Sequence, residues 1–106
     1  MSIVDIVMSC AKSNNLIFTS HSIDMLELRQ NHIVPDKDGL RNLLSTQLPV
    51  YVEKQSNVKF KLFYSIDDKY DLITVVVHKS FNPDKISIIT VHQQEAKRRR
   101  GNDATL

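Results

Sequence analysis

The sequence has one cysteine, two glycines, three prolines and no tryptophan, and each scarcity removes a class of function. A lone Cys10 closes no intrachain disulfide, which suits a reducing compartment. With only Gly39 and Gly101, no glycine-rich loop exists to cradle a phosphate, so P-loop and dinucleotide fingerprints are excluded. No His-x-x-x-His or Cys-x-x-Cys spacing occurs, and His21 with Asp24 is too small a set to hold a metal; neither metal nor cofactor is expected. No apolar run approaches the roughly 18 residues of a membrane span. Asp5 interrupts Ile3, Val4, Ile6 and Val7, with no basic segment ahead of them to make an export signal. A soluble, cytoplasmic chain that does not engage a membrane is therefore expected. Charge of one sign is scarce as well: 14 Lys and Arg stand against 12 Asp and Glu, a formal +2 that does not by itself argue for a polyanion.

The 106 residues, 42% apolar and 25% charged, suit one globular domain with a single core. Ser2 with Asp5 forms a capping signal, and Ile3, Ile6, Val7 and Cys10 recur at helical spacing, so a first helix is predicted from Ser2 to Ser13 with Cys10 in the core. Asn14 and Asn15 end it. Leu16, Ile17 and Phe18 read as an apolar link to Thr19 or Ser20, which caps a second helix reaching Asn31. Pro35 breaks the chain; Asp36 or Asp38 caps a third helix with the stripe Leu40, Leu43 and Leu44, closed by Pro49. From Val50 the period becomes 2. A strand begins at Val50, Tyr51 and Val52. Val58, Phe60, Leu62, Tyr64 and Ile66 then alternate with Lys59, Lys61 and Ser65, giving that strand a buried and a basic face. Asp67 to Lys69 is a turn. Tyr70 to His78, apolar on both faces, reads as a central strand, and Ile86 to His92 as the last. The expected fold is α+β, with two or three N-terminal helices packed on an antiparallel sheet of about four strands. Residues 1–100 make one domain and residues 101–106 a flexible tail.

Candidate chemistry gathers at three places. At 100° per residue, His21, Met25, Leu28, Arg29 and His32 share an arc of about 100° on the second helix, so polar groups fall on the face that Met25 and Leu28 are expected to bury. A buried Arg29 needs a carboxylate, carbonyls or an anionic ligand. Thr90 and His92 point to one face of the last strand. The contiguous Lys97, Arg98, Arg99 and Arg100 make the chain end basic, and with Lys59 and Lys61 they offer a nucleic-acid contact. Two imidazoles, a guanidinium, a hydroxyl and a basic run are the parts needed to cleave RNA without metal. The ribose 2′-OH is the nucleophile, His21 and His92 form an acid/base pair, Arg29 clamps the phosphorane and Thr90 orients. Satisfied structural histidines and an Arg–carboxylate pair would explain the same residues without chemistry.

The stretch Phe18-Thr19-Ser20-His21-Ser22-Ile23-Asp24-Met25-Leu26-Glu27-Leu28-Arg29 resembles the opening of a widespread family of small domains. Their marked helix reads Ser-x-His-Ala-x-x-Arg-x-x-x-Arg-Gly-Ile, and they end on a strand Ile-x-Thr-x-Tyr. That family is similar to the BrnT and RelE type of toxin ribonucleases. His21 and Arg29 match its His and second Arg, and Ile89-Thr90-Val91-His92 stands at the terminal strand motif. Met25 occupies the place of the first Arg, Ser22 that of the Ala, and Gln30-Asn31-His32 intervene before Ile33. The resemblance implies a RelE-like fold, metal-independent endoribonuclease activity, RNA as substrate and a protein antitoxin as partner. Two rivals use the same residues differently: a nucleic-acid-binding module without turnover, and a small interaction or inhibitor protein of a virus or mobile element.

Overall fold

The structure, a computed structural model, describes residues 2–99. Its elements are α1 (Ile3–Lys12), β1 (Leu16–Phe18), α2 (Ser20–Arg29), α3 (Lys37–Thr46), β2 (Tyr51–Lys54), β3 (Lys59–Ser65), β4 (Tyr70–Ser80) and β5 (Lys85–Glu95), followed by a helical turn at 96–99. Each long helix starts where a side-chain oxygen meets an orphan backbone N–H. Ser2 accepts from Asp5 N, Thr19 from Ser22 N and Asp36 from Gly39 N. α2 ends at Arg29, so His32 lies beyond the helix on which it was expected. Among the described residues, no helix is long and apolar enough to cross a membrane.

The fold is α+β. Its five strands are ordered β1-β5-β4-β3-β2, one more than the four expected, and the sheet is mixed instead of antiparallel. The additional strand is Leu16–Phe18, read from sequence as a link; it pairs in parallel with β5, Leu16 opposite Ile86 and Phe18 opposite Ile88. The apolar β4 is central, as its two-faced pattern predicts. One core unites Val7 and Cys10 of α1, Leu26 of α2 and Leu40 and Leu44 of α3 with Leu62, Tyr64, Leu72, Val76, Ile86, Ile88 and Val91 of the sheet. On the opposite face, cross-strand rows align Tyr51, Phe63, Ile73 and His92, and beside them Glu53, Lys61, Val75 and Thr90.

The pairing of β4 with β5 shifts register twice, near its middle and again between His78 and Ser80. Val75 faces Thr90 but Val76 faces Ile88, so Ile89 is an extra residue on β5. Such a bulge resets the alternation of the strand. Ile86 and Ile88 point into the core before it and Val91 after it, which directs Thr90 and His92 to the other face.

Candidate functional site

Because β1 stops opposite Ile88, the rest of β5 has no strand on that side, and α2 lies along it. Arg29, in the last turn of α2, reaches across and donates from Nη1 to the carbonyl oxygen of Val91 at 3.0 Å. An edge carbonyl, not a carboxylate, thus takes one N–H of the guanidinium, and Arg29, expected to be buried, is exposed. Below this bond, α2, the segment that follows it and β5 enclose a groove of about 680 Å³. Met25, Leu28 and Val34 make its apolar side; Arg29, Gln30, Asn31, Thr90, His92 and Gln93 make its polar side.

His92 is half-buried here, and its pKa is lowered from the ordinary 6.5 by burial first, then by the positive charges of Lys61 and Arg29. All three causes disfavour the imidazolium. The ring is therefore neutral at physiological pH, the form in which histidine accepts a proton.

Arg29, Thr90 and His92 come together in one groove, but His21 does not line it. His21 is exposed in the first turn of α2, about 12 Å along the axis from Arg29 at 1.5 Å per residue. The face of α2 that is buried carries Ser22, Met25 and Leu26, so the arc of His21, Leu28 and Arg29 forms its flank. Leu28, expected to be buried, is 86% exposed.

Lys61 stands with Nζ 5.4 Å from the centre of the Phe63 ring, and Lys59 is exposed on the same strand. In the basic run, Lys97 pairs with Glu95 at 3.3 Å and Arg98 is exposed. Arg99 folds back on β4, donating from Nε and Nη2 to the two carboxylate oxygens of the fully buried Asp71 at 2.6 and 3.2 Å. Arg100 and the tail lie outside the described residues. Sequence reasoning missed Gln30, Asn31 and Gln93, uncharged amides with no spacing to mark them. Cys10 is in the core as expected; its thiol donates to the Asp84 carbonyl oxygen at 3.3 Å, and burial together with the Asp84 charge pushes its pKa up, so it is held as the unreactive thiol.

No curated protein and no solved structure matches the sequence. The MJ0788 family matches residues 2–76. That span takes in α1 to α3 and most of β4, with Arg29 and Asn31, and stops ahead of Thr90, His92 and Gln93. It covers well over half of the 106 residues, and on that extent the chain belongs to the MJ0788 family.

Proposed function

We propose that the protein is a metal-independent endoribonuclease of RelE-like toxin type, acting on RNA in the groove between α2 and β5. One observation carries this reading: Arg29, Thr90 and His92 line a single groove, with His92 held in its proton-accepting form. In the proposed reaction, neutral His92 takes the proton of a ribose 2′-OH. The 2′ oxygen bonds to the adjacent phosphorus, and the bond from phosphorus to the 5′ oxygen breaks, leaving a 2′,3′-cyclic phosphate. The departing 5′ oxygen takes a proton from water, because His21 stands outside the groove. Arg29 offers its remaining N–H groups to the non-bridging oxygens, and the Thr90 hydroxyl orients the ribose. Lys59, Lys61, Lys97 and Arg98 supply the electrostatic attraction for the RNA backbone. The same reading puts the protein in the cytoplasm, with an antitoxin chain that covers the groove through the exposed Leu28.

The test is incubation of purified protein with total RNA in EDTA, wild type beside His92→Ala and Arg29→Ala. Cleavage by wild type, lost in both variants, is expected; cleavage that survives His92→Ala removes His92 as the base. A second reading, RNA binding without turnover, is favoured by the single imidazole in the groove. It predicts intact RNA and salt-dependent binding in the same experiment.

A further inference from the structure

Two amides that the reaction does not use are locked together across the groove. Asn31 Oδ1 accepts from the backbone N–H groups of Ile33 at 2.7 Å and Val34 at 2.8 Å, while the Asn31 backbone N–H donates to the Val34 carbonyl oxygen at 2.9 Å. Only an oxygen can accept those two bonds, so the orientation of the Asn31 amide is fixed. Its Nδ2 therefore faces β5, where it donates to Gln93 Oε1 at 2.7 Å. The Gln93 amide is fixed in turn: its oxygen is engaged by Asn31, and Nε2 is the end left for a ligand. Among the described residues, nothing accepts from that Nε2. Arg29, with one N–H on Val91, also offers only donors. Between the apolar side of Met25 and Val34 and the two donor groups Gln93 Nε2 and Arg29, this part of the groove suits a flat ring that turns an acceptor edge to Gln93.

We propose that the groove selects guanine over adenine in the nucleotide it holds, with Gln93 as the specificity-determining residue and Asn31 as its positioning residue. The inference rests on the RNA reading of this groove. An unconstrained Gln reads adenine with both amide ends, Nε2 donating to N7 and Oε1 accepting from the N6 amino group. The Asn31 bond takes one of the two lone pairs of Oε1 and turns that oxygen toward Asn31, which weakens the adenine pairing and leaves Nε2 as the end presented to a base. Guanine presents O6 and N7 on the same edge, both acceptors, and needs donors only. The discrimination expected of one such contact is on the order of tenfold.

The experiment is fluorescence anisotropy with labelled ten-nucleotide RNA strands, 2′-O-methylated so that none is cleaved. One is all adenosine, one carries a single central guanosine, and one carries 7-deazaguanosine there. Wild type is expected to bind the guanosine strand about tenfold tighter than the adenosine strand, with the preference reduced when N7 is absent. Asn31→Ala, which frees Gln93 Oε1, is expected to shift the preference toward adenine. Because Asn31 also braces the turn that follows α2, Gln93→Ala is the decisive variant: it leaves that turn in place and must abolish the preference while still binding the adenosine strand. Equal affinity of wild type for the guanosine and adenosine strands overturns the guanine assignment and leaves the RNA reading standing. If neither strand binds, the RNA reading fails and this inference fails with it.

Discussion

Neighbouring strands treat their ionisable residues in opposite ways. On β4, His78 and Asp71 are both buried and each faces an opposite or hydrogen-bonding partner. His78 Nε2 lies 2.8 Å from Asp84 Oδ1 with the Phe81 ring against it, and Asp71 is gripped by Arg99. At the free edge of β5, His92 is flanked by Arg29 and Lys61, charges that oppose its protonation, and Arg29 holds a neutral carbonyl. The first arrangement closes its groups off from solvent; the second leaves an imidazole neutral and a guanidinium only partly satisfied beside open volume. Partnered charges secure a fold, whereas like charges kept together beside a groove require a ligand or a transferred proton to become useful.

The largest effect separating these regions is expected from Arg99→Ala. It leaves the Asp71 carboxylate buried without its bidentate partner, and urea unfolding is expected to show a loss of about 3–5 kcal/mol; a loss below about 1 kcal/mol would remove the distinction. Next comes His92→Ala, expected to lower RNA cleavage at neutral pH by about a hundredfold or more with little change in the unfolding midpoint. His78→Ala is its control, expected to cost about 1–3 kcal/mol of stability while preserving turnover per folded molecule. If the two histidine variants exchange phenotypes, the comparison is inverted.

Arg29→Ala ranks third, with weaker RNA binding and a shallower dependence of affinity on salt, by roughly one unit of log–log slope for a lost phosphate contact. The smallest effect is the titration of His92. Its folded pKa lies below the unfolded 6.5, so between the two values the unfolded chain binds more protons than the folded one. Stability is thus fully retained above about pH 6.5 and declines as pH falls through that window. A shallower acid decline is expected for His92→Gln in unfolding measured against pH. Lys61→Ala is expected to raise the His92 pKa in an NMR titration, and a fall would contradict the charge arrangement.

Much of this fold is local and could be read from residue order. Ser2, Thr19 and Asp36 announce the helix starts with their own side chains, and the alternation in 58–66 and the two-faced run at 70–78 specify a half-buried strand and a central one. What escaped reading depends on partners distant in sequence. Leu16–Phe18 is too short to show a period, and becomes a strand only because Ile86–Ile88 is there to pair with it. Nothing in residue order singles out Asp71 within the strand at 70–78; its role appears only when Arg99 returns to cover it. Half of the site follows similar logic: Arg29 and His92 carry a recognisable chemistry, and the Thr90 and His92 spacing places both on one face. His21 falls within the same arc of about 100° as Arg29 but not at its height on the helix, which a helical projection cannot register. Asn31 and Gln93 become visible only through the bond between them.

The extra residue at Ile89 has a consequence for how β5 can change over time. Ahead of it the strand answers to the packed interior, and beyond it the phase is reversed, so one segment follows two separate sets of rules. Loss of Ile89 would act like a reading-frame error in three dimensions, turning Thr90 and His92 inward and Val91 outward while every residue kept its chemical identity. Insertions or deletions at this position should therefore abolish the groove more completely than substitution of any single residue lining it, and relatives that keep the site must keep the count.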